Sequence, residues 1–312
     1  MSATHEENPP TLSVVVVNWN GAAYLGDCLE SVSRPGREVL VVDNGSTDDS
    51  ASLVQRRFPE VRWLANRDNL GYARAANRGL REARGEHVLF LNPDARANDE
   101  AIAAALAVLA ERPDVGLVGV AVRDAEGRLT PTVEPFFSLA ALRRPWVRRV
   151  RAPRGPGPVA IDWCHGAFLL GRRAELLALG GYDEAYFLYA EDMDLCFRMH
   201  ASGRGVVYLP DVSIVHEGNA AGRELYGERR AAAIFASCLI FHRRHRGAAA
   251  TLVLRAAATL AFAARTAFYR VTGSPLAERY AALTAVALRG RLDPERPAAA
   301  PPRPAVAAAG ER

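Results

Sequence analysis

Three acidic side chains lie close together in an aromatic-rich stretch of the sequence, YFLYAEDMDLCF, at residues 186–197. They are Glu191, Asp192 and Asp194. An apolar neighbourhood raises the pKa of a carboxyl group toward working pH, which suits a general base, and aromatic side chains suit the face of a sugar. The alternative is structural, because acids in the first turn of a helix interact favourably with its dipole.

Polar residues also follow the first two predicted strands, in the sequences VNWNG and VVDNGSTDD. Ligands of open α/β sheets bind beyond the carboxyl ends of the strands, which is where Trp19, Asp43 and Asn44 are expected. A carboxylate there can accept hydrogen bonds from a base or a ribose hydroxyl, and an indole can flank the base. The alternative is that residues 43–46 form only a turn and a helix cap.

A candidate cation site follows the fourth predicted strand, where the sequence reads LNPDA. A hard divalent cation takes oxygen ligands from protein and phosphate together. Asp94 fits that need, and Asn92 can supply a second oxygen. The alternative is an Asn-Pro-Asp turn that merely ends the strand.

The pattern of apolar segments predicts the scaffold for these motifs. Fully apolar runs such as LSVVVV at 12–17 are typical of parallel strands buried on both faces. Strands and helices alternate, which predicts an α/β fold with a mostly parallel sheet. Predicted strands cover 12–17, 39–42, 61–64, 87–91, 115–122, 161–170, 206–209 and 212–215. Predicted helices cover 24–32, a segment starting near Ser46, 73–84, 99–111, 192–201 and a helical region from 222 onward. The proline- and arginine-rich stretch 131–158 is expected to be a long surface loop.

The basic residues restrict the kinds of reaction that the protein can catalyse, because all 39 of them are arginine. Without lysine, a Walker-type phosphate loop and a lysine Schiff base are excluded. A GC-rich genome is the simplest explanation of this bias. Any side-chain cation at a phosphate must then be arginine or histidine.

The remaining composition favours a soluble cytoplasmic protein. The net charge of +4 is mild, so we expect no nucleic-acid partner, although the arginine-rich stretch 143–154 keeps a non-enzymatic nucleic-acid-binding protein as an alternative. The four cysteines match no zinc or redox motif, and no export signal is recognised at the N-terminus. His242 and His245, in HRRHR, are predicted to lie on a solvated basic face rather than at a metal.

Seven segments of the chain, in order, resemble the family 2 glycosyltransferases. They are VVVVNWNG, VVDNGSTDDS, NRDNLGYARAANRGL, HVLFLNPDA, DWCHGAFLL, YFLYAEDMDLCFR and LPDVSIVHEG, which together span residues 11–220. Within the family the chain is most similar to the bacterial rhamnosyltransferase-like branch. The resemblance implies a GT-A fold and inverting transfer of a sugar from a nucleotide diphosphate, with Mg²⁺ or Mn²⁺.

The resemblance also implies roles for individual residues. Asp192 matches the catalytic base, with Glu191 supporting it, and Asp94 matches the final acid of the metal-binding DxD motif. The first acid of that motif is replaced by Asn92. His216 matches a histidine that can approach the metal or the diphosphate, although the serine that often follows it is absent from HEGNAAG. The implied donor-binding residues are Val17, Trp19, Asp43, Asn44, Asn69, Gly71, Arg74 and Asn92, with Arg74 added by our own inference as a phosphate contact. The implied acceptor- or sugar-binding residues are Trp163, His165, Gly166 and Ala167, and a structural role for His165 stays open.

These expectations divide the chain into a flexible tail at 1–10, a GT-A domain at 11–221, a helical region at 222–290 and a disordered tail at 291–312. Segment 248–271 is apolar with polar residues on one broad side, which leaves two hypotheses open. The helix lies on the inner membrane surface near a lipid-linked acceptor, or it packs on the domain or on a second subunit of a homodimer.

The resemblance favours transfer of L-rhamnose from dTDP-rhamnose to a hydroxyl of a glycan or polyprenyl-linked acceptor in cell-envelope polysaccharide synthesis. UDP-galactofuranose, UDP-N-acetylglucosamine and GDP-mannose remain open as donors, because nothing in the sequence reads sugar stereochemistry. The intact Glu191–Asp192 pair argues against a catalytically silent relative.

Overall fold

A central sheet is built from the apolar runs of the sequence in the computed structural model, which describes residues 10–140, 153, 155–218 and 225–292. In chain order the strands are β1 (Leu12–Asn18), β2 (Arg37–Asp43), β3 (Arg62–Ala65), β4 (His87–Leu91), β5 (Ala95–Arg96), β6 (Val115–Arg123), β7 (Leu129–Thr130), β8 (Val133–Glu134), β9 (Val159–Ala160), β10 (Trp163–Cys164), β11 (Phe168–Arg172) and β12 (Gly205–His216). The helices are α1 (Ala22–Val32), α2 (Ser50–Arg57), α3 (Tyr72–Glu82), α4 (Asp99–Glu111), α5 (Arg173–Ala178), α6 (Glu191–Ala201), α7 (Arg230–Arg246), α8 (Ala248–Val271) and α9 (Leu276–Arg289).

The sheet runs in the order β3-β2-β1-β4-β11-β6-β12-β5. Strand β1 pairs in parallel with β2 and β4, and all seven of its residues are buried. Helices therefore cover both faces of the sheet at this point, which is why five of its seven residues are apolar. Strand β11 is antiparallel to both β4 and β6, while β12 is parallel to β6. The predicted mostly parallel α/β sheet is confirmed, with β11 as an antiparallel exception.

Two predicted element boundaries are wrong. The helix expected from Ser46 begins at Ser50, because the Ser46 hydroxyl donates to Asp43 Oδ1 at 2.5 Å instead of capping a helix. The two strands expected at 206–209 and 212–215 form the single strand β12. Its register against β6 shifts between Leu209 and Ser213, so the proline between them is accommodated by an irregularity rather than by a turn.

The segment expected as a surface loop at 131–158 is partly built into the fold. Strand β8 pairs with β10, which divides the strand expected at 161–170 into β10 and β11. The Phe136 ring lies 5.2 Å from Phe197 on α6 and 6.0 Å from Phe241 on α7, measured between centroids. Residues 141–152 and 154, with most of the arginine-rich stretch, and the tails at 1–9 and 293–312 lie outside the described residues.

The C-terminal helices share a hydrophobic cluster with the residues around α6. Phe235, Phe241 and Phe262 are buried there together with Tyr186 and Met193. Aromatic pairs of this kind contribute about 0.5–1.5 kcal/mol each beyond their burial. Helices α7–α9 are thus packed against the segment that carries the acidic cluster.

Candidate active site

A cleft of 1130 Å³ opens at the carboxyl ends of the central strands. All the site residues predicted from the sequence line it except Asp43 and Arg74. They are Val17, Trp19, Asn44, Asn69, Gly71, Asn92, Asp94, Trp163, His165, Gly166, Ala167, Glu191, Asp192 and His216. The fold therefore brings residues from distant parts of the chain to one cavity, as the strand-end rule predicts.

The three acids lie in the first turn of helix α6, and two of them, Glu191 and Asp192, line the cleft. The two residues before it, Tyr189 and Ala190, both have left-handed backbone conformations, with φ of +73° and +64°. Such conformations cost non-glycine residues on the order of 1–3 kcal/mol each and are concentrated at functional sites. They end the preceding segment abruptly, so that Glu191 and Asp192 occupy the first turn of the helix.

The Asp192 carboxylate is held by two backbone N–H groups. Gly166 donates to Oδ2 at 2.9 Å and Met193 donates to Oδ1 at 2.8 Å. Burial raises the pKa of Asp192, while the charge of His165 and these N–H donors oppose the rise without cancelling it. Asp192 is therefore oriented by the main chain and is a stronger base than an exposed aspartate.

Glu191 is more deeply buried than its neighbour, and its Oε2 has no hydrogen-bond partner among the described residues. Burial and the adjacent charge of Asp192 raise its pKa well above the ordinary value. As pH rises, Asp192 is the member of the pair that ionises first. Deprotonation of the pair therefore favours Asp192 over Glu191.

Asp194, the third acid, does not reach the cleft and is completely buried. It accepts hydrogen bonds from Arg198 Nε at 2.6 Å and from His245 Nε2 at 2.7 Å. His242, on the same helix as His245, is also buried and bonds Thr251 Oγ1 at 3.0 Å. The prediction of a solvated basic face for these two histidines is wrong, because His245 packs against α6 and His242 packs against α8.

The predicted acceptor-side residues lie beside Asp192, since Gly166 donates to its carboxylate. The His165 ring lies 5.2 Å from the Trp163 ring, and its Nε2 is 3.4 Å from Glu134 Oε1. Burial lowers the pKa of His165, but Glu134 and Asp192 raise it more, so that the net change is upward. Ala167 is buried, and its carbonyl accepts a hydrogen bond from Asn92 N–H, which ties this segment to the end of β4.

Hydrogen bonds from the Asn44 side chain hold the loop at 66–71 in place. The Asn44 amide donates to the Gly71 carbonyl at 3.0 Å and to Asn69 Oδ1 at 3.2 Å. Gly71 has φ of +84°, and a Cβ there would lie 2.6 Å from the Phe187 carbonyl oxygen. Only glycine fits this close approach, which joins the loop to the segment that leads into α6.

Two predicted donor contacts are not placed in the cleft. The Asp43 carboxylate is buried and accepts hydrogen bonds from Asn18 and Ser46, which is the turn-forming role that was the alternative. Arg74 projects from α3, is 56% exposed, and has its Nε 3.6 Å from Glu184 Oε2. The structure therefore gives Asp43 an indirect role beside the cleft and leaves Arg74 outside it.

Asp94 and His216 also line the cleft and lie together there, with His216 Nε2 3.0 Å from Asp94 Oδ1. The Asn92 amide is 3.3 Å from the same histidine nitrogen. No group of three or more His, Cys, Asp or Glu side chains suited to a metal occurs in the described ranges. Magnesium-type sites commonly use one or two carboxylates and complete their shell with substrate phosphate and water, so this small set fits such an ion.

Sequence reasoning missed a second group of residues that line the cleft. Thr132, Glu134 and Phe136 come from the stretch expected to be a loop, and Arg230 and Arg279 come from the C-terminal helices. No motif marked these positions. The two arginines lie beyond residue 220, where the resemblance that guided the other assignments ends.

The family model for glycosyl transferase family 2 matches residues 13–174. The chain belongs to glycosyl transferase family 2. It is therefore a glycosyltransferase that uses a nucleotide-sugar donor.

Two relatives in the family have rhamnosyltransferase names. The N-acetylglucosaminyl-diphospho-decaprenol L-rhamnosyltransferase of Mycobacterium tuberculosis is 34% identical over 241 residues, which cover 68% of this chain and 78% of the relative. Rhamnosyltransferase WbbL of Escherichia coli is 26% identical, over 69% of this chain and 86% of its own. The predicted membership of the rhamnosyltransferase-like branch is confirmed.

A solved structure with the same fold is a mannosyltransferase from Pyrobaculum calidifontis in complex with GDP-Man and Mn²⁺. It superposes with a TM-score of 0.59 at 23% identity and covers 92% of this glycosyltransferase and 89% of its own chain. The predicted GT-A fold with a C-terminal helical region is confirmed.

Proposed function

We propose that this glycosyltransferase transfers L-rhamnose from dTDP-rhamnose to a hydroxyl group of a diphospho-lipid-linked sugar in cell-envelope polysaccharide synthesis. The observation that carries the proposal is the half-buried Asp192 carboxylate, which is oriented by two N–H groups in a cleft that Asp94 and His216 also line. The donor and acceptor are suggested by the relative that is 34% identical.

In the proposed reaction Asp192 takes the proton of the acceptor hydroxyl as its oxygen attacks the anomeric carbon. The bond from that carbon to the donor diphosphate breaks on the opposite face, so the configuration inverts. A divalent ion held by Asp94 and His216, either Mg²⁺ or Mn²⁺, would neutralise charge on the leaving diphosphate. Glu191, whose pKa is raised by burial and by the charge of Asp192, retains its proton to a higher pH than the base does.

The donor nucleotide is assigned to the walls formed by the ends of β1 and β2 and by the 66–71 loop. Trp19 lies where it can flank the base, and Val17 offers backbone groups beside it. Asn69 and Gly71 line the same part of the cleft, and Asn92 lies beside the proposed metal. Trp163, His165, Gly166 and Ala167 are assigned to the acceptor and the transferred sugar.

A donor panel tests this proposal. Release of nucleoside diphosphate is measured with dTDP-rhamnose, UDP-galactofuranose, UDP-N-acetylglucosamine and GDP-mannose, each with Mg²⁺, with Mn²⁺ and with chelator. The proposal predicts the highest kcat/KM for dTDP-rhamnose and loss of activity in chelator. A higher value for another donor would replace the sugar assignment, and absence of release from every donor would reject the function.

We also propose that helix α8 rests on the cytoplasmic face of the membrane. Its polar side chains turn inward except for the exposed Arg270. Arg255 Nε donates to the Ala287 carbonyl at 2.9 Å, and Thr266 approaches Thr284 at 3.4 Å. Its outward side is apolar, with Leu260 75% exposed and Phe268 62% exposed. This arrangement is the reverse of a water-facing helix and suits an interfacial helix.

The length of α8 does not by itself decide how it meets a bilayer. In the described part of the chain it is the one helix long and apolar enough to cross a membrane. It also packs along α9, which carries charged residues, so a position in the plane of the surface fits the whole helical region better than a span. A relative that acts on a decaprenol-linked sugar makes such a surface useful.

Vesicle flotation tests the membrane contact. The intact protein is mixed with phosphatidylglycerol–phosphatidylethanolamine vesicles and compared with a double variant, Leu260→Asp with Phe268→Asp. Leu177→Asp, at a partly exposed leucine on α5, is the control. The proposal is supported if the wild type and Leu177→Asp float with the vesicles and the double variant does not. A protein that stays with the soluble fraction and sediments as a dimer, which the double variant dissociates, would assign this face to a second subunit instead.

A further inference from the structure

Two arginines from the C-terminal helices line the active-site cleft. Arg230 is the first residue of α7, and Arg279 lies on α9. Neither side chain has a carboxylate partner among the described residues, whereas the Arg198 guanidinium is fixed to Asp194 at 2.6 Å. The Nε of Arg230 is buried without a hydrogen-bond acceptor. A buried donor without a partner is costly and calls for an explanation, and an anionic ligand in the cleft supplies one.

The position of Arg230 places it on the acceptor side of the site. Its Cζ atom is 5.9 Å from the centre of the Tyr189 ring, three residues before Asp192. Its charge is one of the influences that lower the pKa of His165, the histidine of the acceptor-side wall. The proposed metal pair, Asp94 and His216, instead comes from the sheet.

We propose that Arg230 and Arg279 form a subsite for the diphosphate group of the acceptor, an inference that rests on the proposed function. Guanidinium groups bind phosphate oxygens through paired hydrogen bonds, and a chain without lysine has no other strong side-chain cation to offer. The sugar of the acceptor then faces Asp192. The same helical region carries the apolar outer side of α8, so the lipid chain can continue from the diphosphate toward the membrane surface.

The nucleotide donor also contains a diphosphate, so the experiment must distinguish binding of the acceptor diphosphate from binding of the donor diphosphate. Two acceptors are compared, N-acetylglucosaminyl-diphospho-farnesol and octyl N-acetylglucosaminide, which lacks phosphate. The variants are Arg230→Gln and Arg279→Gln, with Arg230→Lys as a charge-preserving form. Arg243→Gln, at an exposed arginine of α7 outside the cleft, is the matched control.

Each glutamine variant is expected to raise KM for the diphospho acceptor by roughly 10- to 100-fold, because charge-assisted hydrogen bonds are lost. KM for the octyl acceptor and for the donor stays unchanged, and Arg230→Lys loses less than Arg230→Gln. An increase in donor KM alone would assign the guanidiniums to the nucleotide diphosphate and overturn the subsite. Equal losses with both acceptors would also overturn it, since they would indicate a general structural effect.

The subsite and the proposed function fail in different ways. A wild-type enzyme that uses no diphospho acceptor would reject the function itself. A wild-type enzyme that uses it, with variants that behave like Arg243→Gln, would reject only the subsite.

Discussion

Replacement of Asp192 by asparagine removes the proposed base while keeping the shape of the side chain. Loss of a general base lowers rate by about 10²- to 10⁴-fold, or about 2.7–5.4 kcal/mol in the activation free energy. The substitution also destabilises the folded state, because it changes the hydrogen bonds of this side chain. Gly166 and Met193 both donate to the carboxylate, so the amide nitrogen of asparagine must face one of these N–H groups.

That mismatch destabilises the fold by about 1–3 kcal/mol, the cost of an unsatisfied buried donor. Removing the charge of Asp192 should also lower the raised pKa of Glu191, since that charge is its second cause after burial. We therefore expect Asp192→Asn to be folded, slightly less stable, able to bind dTDP-rhamnose, and nearly inactive in transfer.

The assay measures acceptor-dependent nucleoside diphosphate release at saturating donor, with donor affinity measured separately. Asp114→Asn serves as the control, because Asp114 is exposed and pairs with Arg112 away from the cleft. Near-normal kcat in folded Asp192→Asn would refute the assignment of the base. An equal loss in the Asp114 variant would show that the effect is not specific to the site.

Three further outcomes are expected from the site. Asp94→Ala should abolish metal-dependent transfer, and activity of the wild type that persists in chelator would argue against the metal. His165→Gln should move the acid limb of the kcat/KM profile to higher pH, because the charge of His165 lowers the pKa of Asp192; a limb that stays in place would disprove this influence. The pKa of Glu191 is raised on folding, so its stabilising contribution is present below its ordinary pKa of 4.5 and lost as pH rises. We therefore expect the free energy of unfolding of Glu191→Gln, measured with urea, to rise relative to that of the wild type between pH 5 and pH 8. The rise should be about 1.4 kcal/mol for each unit of pKa shift that the interval covers. A difference in unfolding free energy that stays constant with pH would contradict the burial argument.

The parts of the fold that depend on local pattern were predictable from the sequence. A strand covered on both faces is mostly apolar along its length, and β1 and β4 can be recognised on that basis. The strand-end rule then placed Trp19, Asn44 and Asp94 at one edge of the sheet, where the cleft is found.

The parts that depend on tertiary packing were not predictable. His245 resembles a surface residue in HRRHR, yet it bonds the buried Asp194 across 51 positions of sequence. Arg230 and Arg279 carry no motif and reach the cleft only because α7 and α9 pack beside α6. Asp43 was placed correctly at the end of β2, but its hydrogen bonds to Asn18 and Ser46 turn the carboxylate into the loop rather than toward a ligand.

The anomeric configuration of the product tests the central claim most directly. Wild-type enzyme is incubated with dTDP-rhamnose, Mn²⁺ and N-acetylglucosaminyl-diphospho-farnesol, and the new glycosidic linkage is examined by NMR. A single displacement driven by Asp192 predicts a rhamnoside whose anomeric configuration is opposite to that of the donor. A product with the donor's configuration would require an intermediate on the enzyme and would contradict the mechanism.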